Sequence, residues 1–196
     1  MKASEVISSG GVIAFRTDTF YGLGADPFNH AAVTRIRELK GREDNKPILL
    51  LISDPDQVHR LLRTRSDEFN MAARNFWPGP LTIVGAAVAA LPEEITAGTG
   101  TVGVRLPADE NVREFVRECG GVLTATSANP SGSEPARSAK EVAAYFPRGL
   151  DMIVDGGNVS ATEPSTVLDV SSSPPRVVRE GSISRIIIEQ LFAAYD

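Results

Sequence analysis

Residues 48–52, Ile-Leu-Leu-Leu-Ile, are apolar without a break between Lys46-Pro47 and Ser53-Asp54-Pro55. A strand with one face in water alternates apolar and polar side chains, so this run predicts a strand covered on both faces. Shorter runs at 12–15, 81–84, 101–106, 122–125, 152–154, 165–170 and 176–179 read as further strands. Segments of helical period lie between several of them. A short helix before residue 12 should end at Gly10-Gly11. Asn29 caps a helix that carries Val33, Ile36 and Leu39 on one face. Asp54-Pro55 reads as a cap and first helical residue, and Ser66 opens a helix that stops at Trp77-Pro78-Gly79-Pro80. Asp109 starts a helix with Val112, Phe115 and Val116 that ends at Gly120-Gly121. Ser138 and Glu141 have capping-box spacing, and a last amphipathic helix spans about 184–194. Some neighbouring strands have no helix between them, which predicts an α/β chain with a mixed sheet flanked by helices. No internal repeat or low-complexity linker divides residues 1–196, so one domain is expected.

The bulk numbers exclude several classes. Hydrophobic residues make up 42% and charged residues 23% of 196 residues, which is globular and not disordered. No apolar stretch approaches the roughly 20 residues of a membrane span. Met1-Lys2-Ala3-Ser4-Glu5 lacks the apolar core of a signal peptide, and the single Cys119 has no internal disulfide partner. A reducing, cytoplasmic setting with no membrane is therefore expected. The net charge of -5 argues against a chain that coats nucleic acid nonspecifically, while leaving room for a small basic pocket.

Common motifs are missing. Gly22-Leu23-Gly24 begins like a dinucleotide fingerprint, but position 27 is Pro27. There is no P-loop and no His-Glu-x-x-His motif. His30 and His59, the two histidines, read as solvated structural residues, which disfavours a Ser-His-Asp hydrolase.

Three stretches carry polar chemistry. Arg16-Thr17-Asp18-Thr19-Phe20-Tyr21-Gly22-Leu23-Gly24 follows a predicted strand. Its hydroxyls, carboxylate and glycines suit a crevice for a small polar ligand, although taken alone the stretch reads as an ordinary turn. Lys40-Gly41-Arg42-Glu43-Asp44-Asn45-Lys46 places three cations within seven residues. Arg42 offers a planar fork to phosphate oxygens and the lysines compact charge, although Lys40 also suits a helix C-terminus. Thr124-Ala125-Thr126-Ser127-Ala128-Asn129-Pro130-Ser131-Gly132 runs from a strand into hydroxyls and an amide, as in a nucleotide site or a hydroxyl-capped turn. Arg105 and Arg179 each close a predicted strand, where surface charges and ligand clamps both occur.

In this order and spacing, these pieces resemble the YrdC-type family of threonylcarbamoyl-AMP synthases, in its short, stand-alone branch. Thr17–Gly24 resembles the opening signature, Lys40-Gly41-Arg42 with Lys46 the basic motif, and Ser127-Ala128-Asn129 the Ser-x-Asn motif. Trp77-Pro78-Gly79-Pro80-Leu81-Thr82, Val104-Arg105 with Pro107, and Pro164-Ser165-Thr166-Val167 match as well. The resemblance implies one YrdC-like domain, a twisted mixed β-sheet flanked by helices around a basic concave cavity. It implies an L-threonylcarbamoyladenylate synthase, a nucleotidyltransferase making threonylcarbamoyl-AMP and pyrophosphate from ATP, L-threonine and bicarbonate. Magnesium (Mg2+) would enter with ATP, without direct protein ligands. Downstream proteins would move the threonylcarbamoyl group to the adenosine beside the tRNA anticodon, with tRNA itself at most a weak ligand.

By that resemblance Lys40, Arg42, Ser127 and Asn129 are the catalytic positions. Arg42, Lys46, Thr101, Ser127, Asn129 and Arg179 would bind ATP. Thr19, Arg105 and Ser165 would bind threonine, with Arg105 as a carboxylate fork. The chain departs from the family pattern at Arg16, Glu43 and Leu51. Two rivals remain. One is carbamoyl adenylation, as in the related module of hydrogenase-maturation proteins, although those carry cysteine-rich segments that this chain lacks. The other is a non-catalytic RNA-binding module, which the acidic pI of about 5.2 and 6% aromatic content disfavour.

Overall fold

Side-chain caps set the helix starts. The computed structural model describes residues 1–41, 46–161 and 163–193. Helix α1 (Ala3–Ser8) ends before Gly10, which takes φ +82°. Strands β1 (Ile13–Arg16) and β2 (Tyr21–Gly24) follow. Asn29 caps α2 (His30–Lys40) by accepting from the Ala32 amide. After β3 (Leu50–Ile52), Asp54 caps a 3-10 turn over Pro55–Arg60, and Ser66 caps α3 (Asp67–Phe76). Strand β4 (Leu81–Ala86), the short α4 (Glu93–Thr96) and β5 (Thr101–Arg105) lead to α5 (Glu110–Glu118), capped by Asp109. Next come β6 (Val122–Thr124), β7 (Thr126–Ser127) and α6 (Ala139–Tyr145). Strands β8 (Met152–Val154), β9 (Thr166–Asp169) and β10 (Arg176–Arg179) precede α7 (Arg185–Ala193). Residue 194, included in the predicted last helix, lies outside the described residues.

The single mixed sheet expected from sequence is divided into two mixed sheets. One has the order β7-β2-β1-β8 and the other β10-β9-β4-β5-β3-β6. In the first, β1 runs parallel to β8 and antiparallel to β2, while β2 runs antiparallel to β7. In the second, β4–β9 and β3–β5 are parallel and the other pairs antiparallel. The division occurs at residue 125, read from sequence as the end of one strand. There the chain leaves β6 in the larger sheet and one residue later becomes β7 in the smaller. The buried Thr124 hydroxyl holds that crossing together, donating to the Leu23 carbonyl at 3.0 Å and accepting from the Ala25 amide at 2.8 Å.

Both faces of β3 are covered, as its apolar run predicts. Leu50 and Ile52 pack into the larger core with α2 and α3, whereas Leu51 joins Ile13, Phe15, Val112, Val116 and Leu123 between the sheets and α5. Phe15 stacks on Phe115 there, with ring centroids 5.2 Å apart.

Two elements differ from the sequence expectation. Residues 21–24 were read as loop but form β2, and α4 was not foreseen. In α6, Ser138 accepts from the Glu141 amide, yet the Glu141 carboxylate accepts from the Arg137 amide and not from that of Ser138, so only half of the expected capping box forms.

Candidate active site

The two sheets and the last turn of α2 enclose a cavity of about 690 Å³, within the size range of small-molecule sites. Its walls come from the β1–β2 turn, α2, the segment entering β3, β5, the turn after β7, and the adjoining parts of β9 and β10. Arg37, Lys40, Lys46, Arg105, Arg176 and Arg179 line it, and Asp169 is the acidic residue among its described walls. A chain of net charge -5 thus concentrates positive charge at one place.

All the described residues expected at the site reach this cavity: Thr19, Lys40, Lys46, Thr101, Arg105, Ser127, Asn129, Ser165 and Arg179. Arg42, assigned to catalysis and ATP from sequence, lies outside the described residues, as do residues 43–45.

Lys40 is 7% exposed, and its Nζ donates to the carbonyls of Ser127 at 2.8 Å and Asn129 at 3.1 Å. A third contact reaches Ser127 Oγ at 3.4 Å. The ammonium therefore shapes the Ser-x-Asn turn as well as charging the cavity. The Asn129 amide nitrogen donates to the carbonyls of Pro130 at 2.9 Å and Ser133 at 2.8 Å. These bonds fix the amide and leave Oδ1 buried without a hydrogen-bond partner among the described residues. A buried acceptor in that condition suits a ligand donor.

The opposite end is built around Arg105, which is 1% exposed at the end of β5. Its Nε donates to the Gly79 carbonyl at 3.0 Å, Nη2 to Asp18 Oδ2 at 2.6 Å, and Nη1 to Thr19 Oγ1 at 3.3 Å. The carboxylate fork expected at Arg105 thus has Asp18 on one prong already. Burial pulls the Arg105 pKa below the usual arginine value, and the Asp18 charge and hydrogen bond oppose that shift. Thr17 Oγ1 donates to the Phe20 carbonyl at 2.6 Å and accepts from the Thr19 and Phe20 amides. The Thr17 and Thr19 hydroxyls lie 3.1 Å apart, and Thr19 Oγ1 also accepts from Arg105 Nη1. The stretch forms the turn that the sequence allowed, and Thr19 lines the cavity.

Between these ends, the buried hydroxyls of Ser165 and Thr82 lie 2.8 Å apart. Arg179 Nη2 donates to the Ser165 carbonyl at 2.9 Å and contacts its Oγ at 3.3 Å. Strands β4, β9 and β10 thereby share one polar joint. Thr82 and Asp18 stood inside quoted motifs but were assigned no role. Arg37 and Arg176 had no signal beyond their charge.

Of the two glycines of β2, Gly24 serves close packing, whereas Gly22 has room for a Cβ. A Cβ on Gly24 would meet the Phe15 ring at 2.8 Å, whereas on Gly22 its nearest neighbour would be 3.5 Å away.

Fold and cavity define the class: an α/β protein whose two mixed sheets frame a cation-rich cleft. The chain belongs to the Sua5/YciO/YrdC family, described as telomere recombination, which matches residues 5–181. The threonylcarbamoyl-AMP synthase of Pyrococcus abyssi is 38% identical over 189 residues, covering 96% of this chain and 56% of that protein. The chain thus spans little more than half of that relative's length. The threonylcarbamoyl-AMP synthase of Halorhodospira halophila is 35% identical over 167 residues, 85% of this chain and 87% of its own. The crystal structure of P. abyssi Sua5 complexed with L-threonine superimposes with a TM-score of 0.90 at 38% identity, over 96% of this chain and 56% of that one.

Proposed function

We propose that this chain is a threonylcarbamoyl-AMP synthase, joining L-threonine, bicarbonate and ATP with release of pyrophosphate. The observation that carries the proposal is the convergence of residues from six separated motifs on one cation-rich cavity. Relatives over most of the chain bear that activity in their names, and the superimposable P. abyssi structure carries L-threonine.

In this mechanism Arg105 and Thr19 hold threonine at one end, beside Ser165. The threonine amine condenses with bicarbonate, losing water, to give an N-carboxylate, whose oxygen attacks the α-phosphate of ATP and displaces pyrophosphate. An anion then attacks an anion, and the cations of the cleft offset the repulsion. Lys46, Arg179 and, by sequence, Arg42 hold the phosphates. Lys40 keeps the Ser127–Asn129 turn in place, and Asn129 Oδ1 and Thr101 meet donors of the nucleoside. Positioning and electrostatics suffice, since no covalent nucleophile is required.

Among the described residues no three His, Cys, Asp or Glu side chains gather as a metal site. In this mechanism magnesium enters as a companion of the ATP phosphates. Among the described residues no helix is long and apolar enough to cross a membrane. We place the activity in the cytoplasm, with separate proteins consuming the product in tRNA modification and tRNA at most a weak ligand.

The test is pyrophosphate release by purified protein with ATP, magnesium and bicarbonate, with and without L-threonine. Release should require both threonine and bicarbonate and fall at least about tenfold in Arg179→Ala. Folded protein that releases pyrophosphate only with carbamoyl phosphate would replace this function with carbamoyl adenylation. No release with either substrate would leave the acyl-adenylation chemistry without support.

A further inference from the structure

Among the described residues, Arg105 is the largest fully buried side chain. A guanidinium in that position is stable only if its charge is met and its donors are directed. Asp18 meets the charge through one oxygen only. Its Oδ2 accepts from Arg105 Nη2 at 2.6 Å and from the Ala108 amide at 3.0 Å. Its Oδ1 is buried with no hydrogen-bond partner among the described residues. A bidentate pair would have consumed both prongs of the fork; this one-oxygen contact leaves an N–H on each of Nη1 and Nη2. Asp18 is itself fixed, because Arg16 Nη1 donates to Asp109 Oδ2 at 2.8 Å and clamps the same turn to the start of α5.

The pair also divides the cavity electrically. At the Arg105 end, the positive charge is matched by Asp18, which does not itself line the cavity. The pair itself therefore offers a ligand directed N–H groups with little net charge, and Arg179, on Ser165, is the neighbouring cation whose charge Arg105 feels. At the other end, Lys40 and Lys46 face the cavity. Polyphosphate follows net charge, whereas the carboxylate of a zwitterionic amino acid needs oriented donors and gains less from net charge.

Resting on the proposed function, we infer that Asp18 is the positioning residue that makes Arg105 a carboxylate-selective donor and keeps phosphate out of the amino-acid end. Asp18→Asn removes the charge and keeps the shape. Arg105 then becomes an uncompensated cation whose Nη2 donates only to a neutral amide oxygen, a weaker bond than the charge-assisted one.

The test compares wild type, Asp18→Asn and Asp18→Glu by calorimetric titration of L-threonine, steady-state KM for both substrates, and inhibition by inorganic phosphate. In Asp18→Asn the threonine Kd should rise at least about tenfold while the KM for ATP stays within about twofold. Phosphate should become a competitor of threonine, and Asp18→Glu should recover part of the loss. A folded Asp18→Asn protein that binds threonine as wild type does, or loses ATP and threonine equally, would overturn the inference. Should Asp18→Asn not fold, Asp18→Glu carries the test, because one added methylene displaces the carboxylate. Its threonine affinity should fall at least about threefold, and an unchanged affinity counts against positioning. If wild type binds no threonine, the proposed function fails separately. The Arg105 Nε–Hε resonance in 15N-labelled protein then decides: a shift in the Asp18 variants supports positioning, and an unmoved resonance refutes it.

Discussion

The ammonium of Lys40, in the last turn of α2, donates to the carbonyl of Ser127 at 2.8 Å across 87 residues of chain. One bond thus joins a helix terminus to the turn that follows the shortest strand. It sets the depth of the cavity, because Asn129 follows the same turn and its carbonyl accepts from the same nitrogen.

Lys40→Met keeps the aliphatic stem and deletes these bonds. Buried hydrogen bonds to a charged group contribute about 1.5–3 kcal/mol, so the variant should lose stability of that order in chemical denaturation. Its KM for ATP should rise more than its KM for threonine.

Gly24→Ala would place a methyl 2.8 Å from the Phe15 ring. Overpacking of this kind costs about 1–3 kcal/mol, measured as a lower denaturation midpoint. Gly22→Ala has its nearest neighbour at 3.5 Å and serves as the internal control, with a smaller change.

Thr82→Val replaces a hydroxyl 2.8 Å from Ser165 Oγ with a methyl of similar size. The lost bond should cost about 1 kcal/mol of stability. Ser165 then loses its orientation beside Arg179, and steady-state kinetics should show a raised KM for threonine.

Burial, with the nearby Glu118 charge, pushes the Cys119 thiol up to about 11 from an ordinary 9.0. Native protein at about pH 8 should therefore react with iodoacetamide far more slowly than unfolded protein. The sign for stability follows from proton binding: between these two values the unfolded chain gives up the proton and the folded chain keeps it. Stability should fall as pH rises through that window, and Cys119→Ala should flatten this part of the profile.

The expected site residues among those described all reach one cavity, yet their motifs did not define its internal division. Arg105 was legible as a strand-end arginine, but its partner Asp18 lies 87 residues away. No local pattern joins the two. Arg37 and Arg176 likewise join the cavity only because α2 and β10 face it.

Local physics determined the caps. Asn29, Asp54, Ser66, Asp109 and Ser138 each accept from an amide two or three residues ahead, a bond that needs no distant partner. The unbroken apolar run of β3 likewise required cover on both faces, and it has it. Tertiary structure decided what depends on another part of the chain. Tyr21-Gly22-Leu23-Gly24 has weak strand propensity and becomes a strand because β1 and β7 flank it. The change of sheet at residue 125, and the charge on Arg105 met by Asp18, follow from the same cause. Capping and hydrophobic period act over a few residues, whereas strand partners and buried ion pairs are selected by the packing of the whole chain.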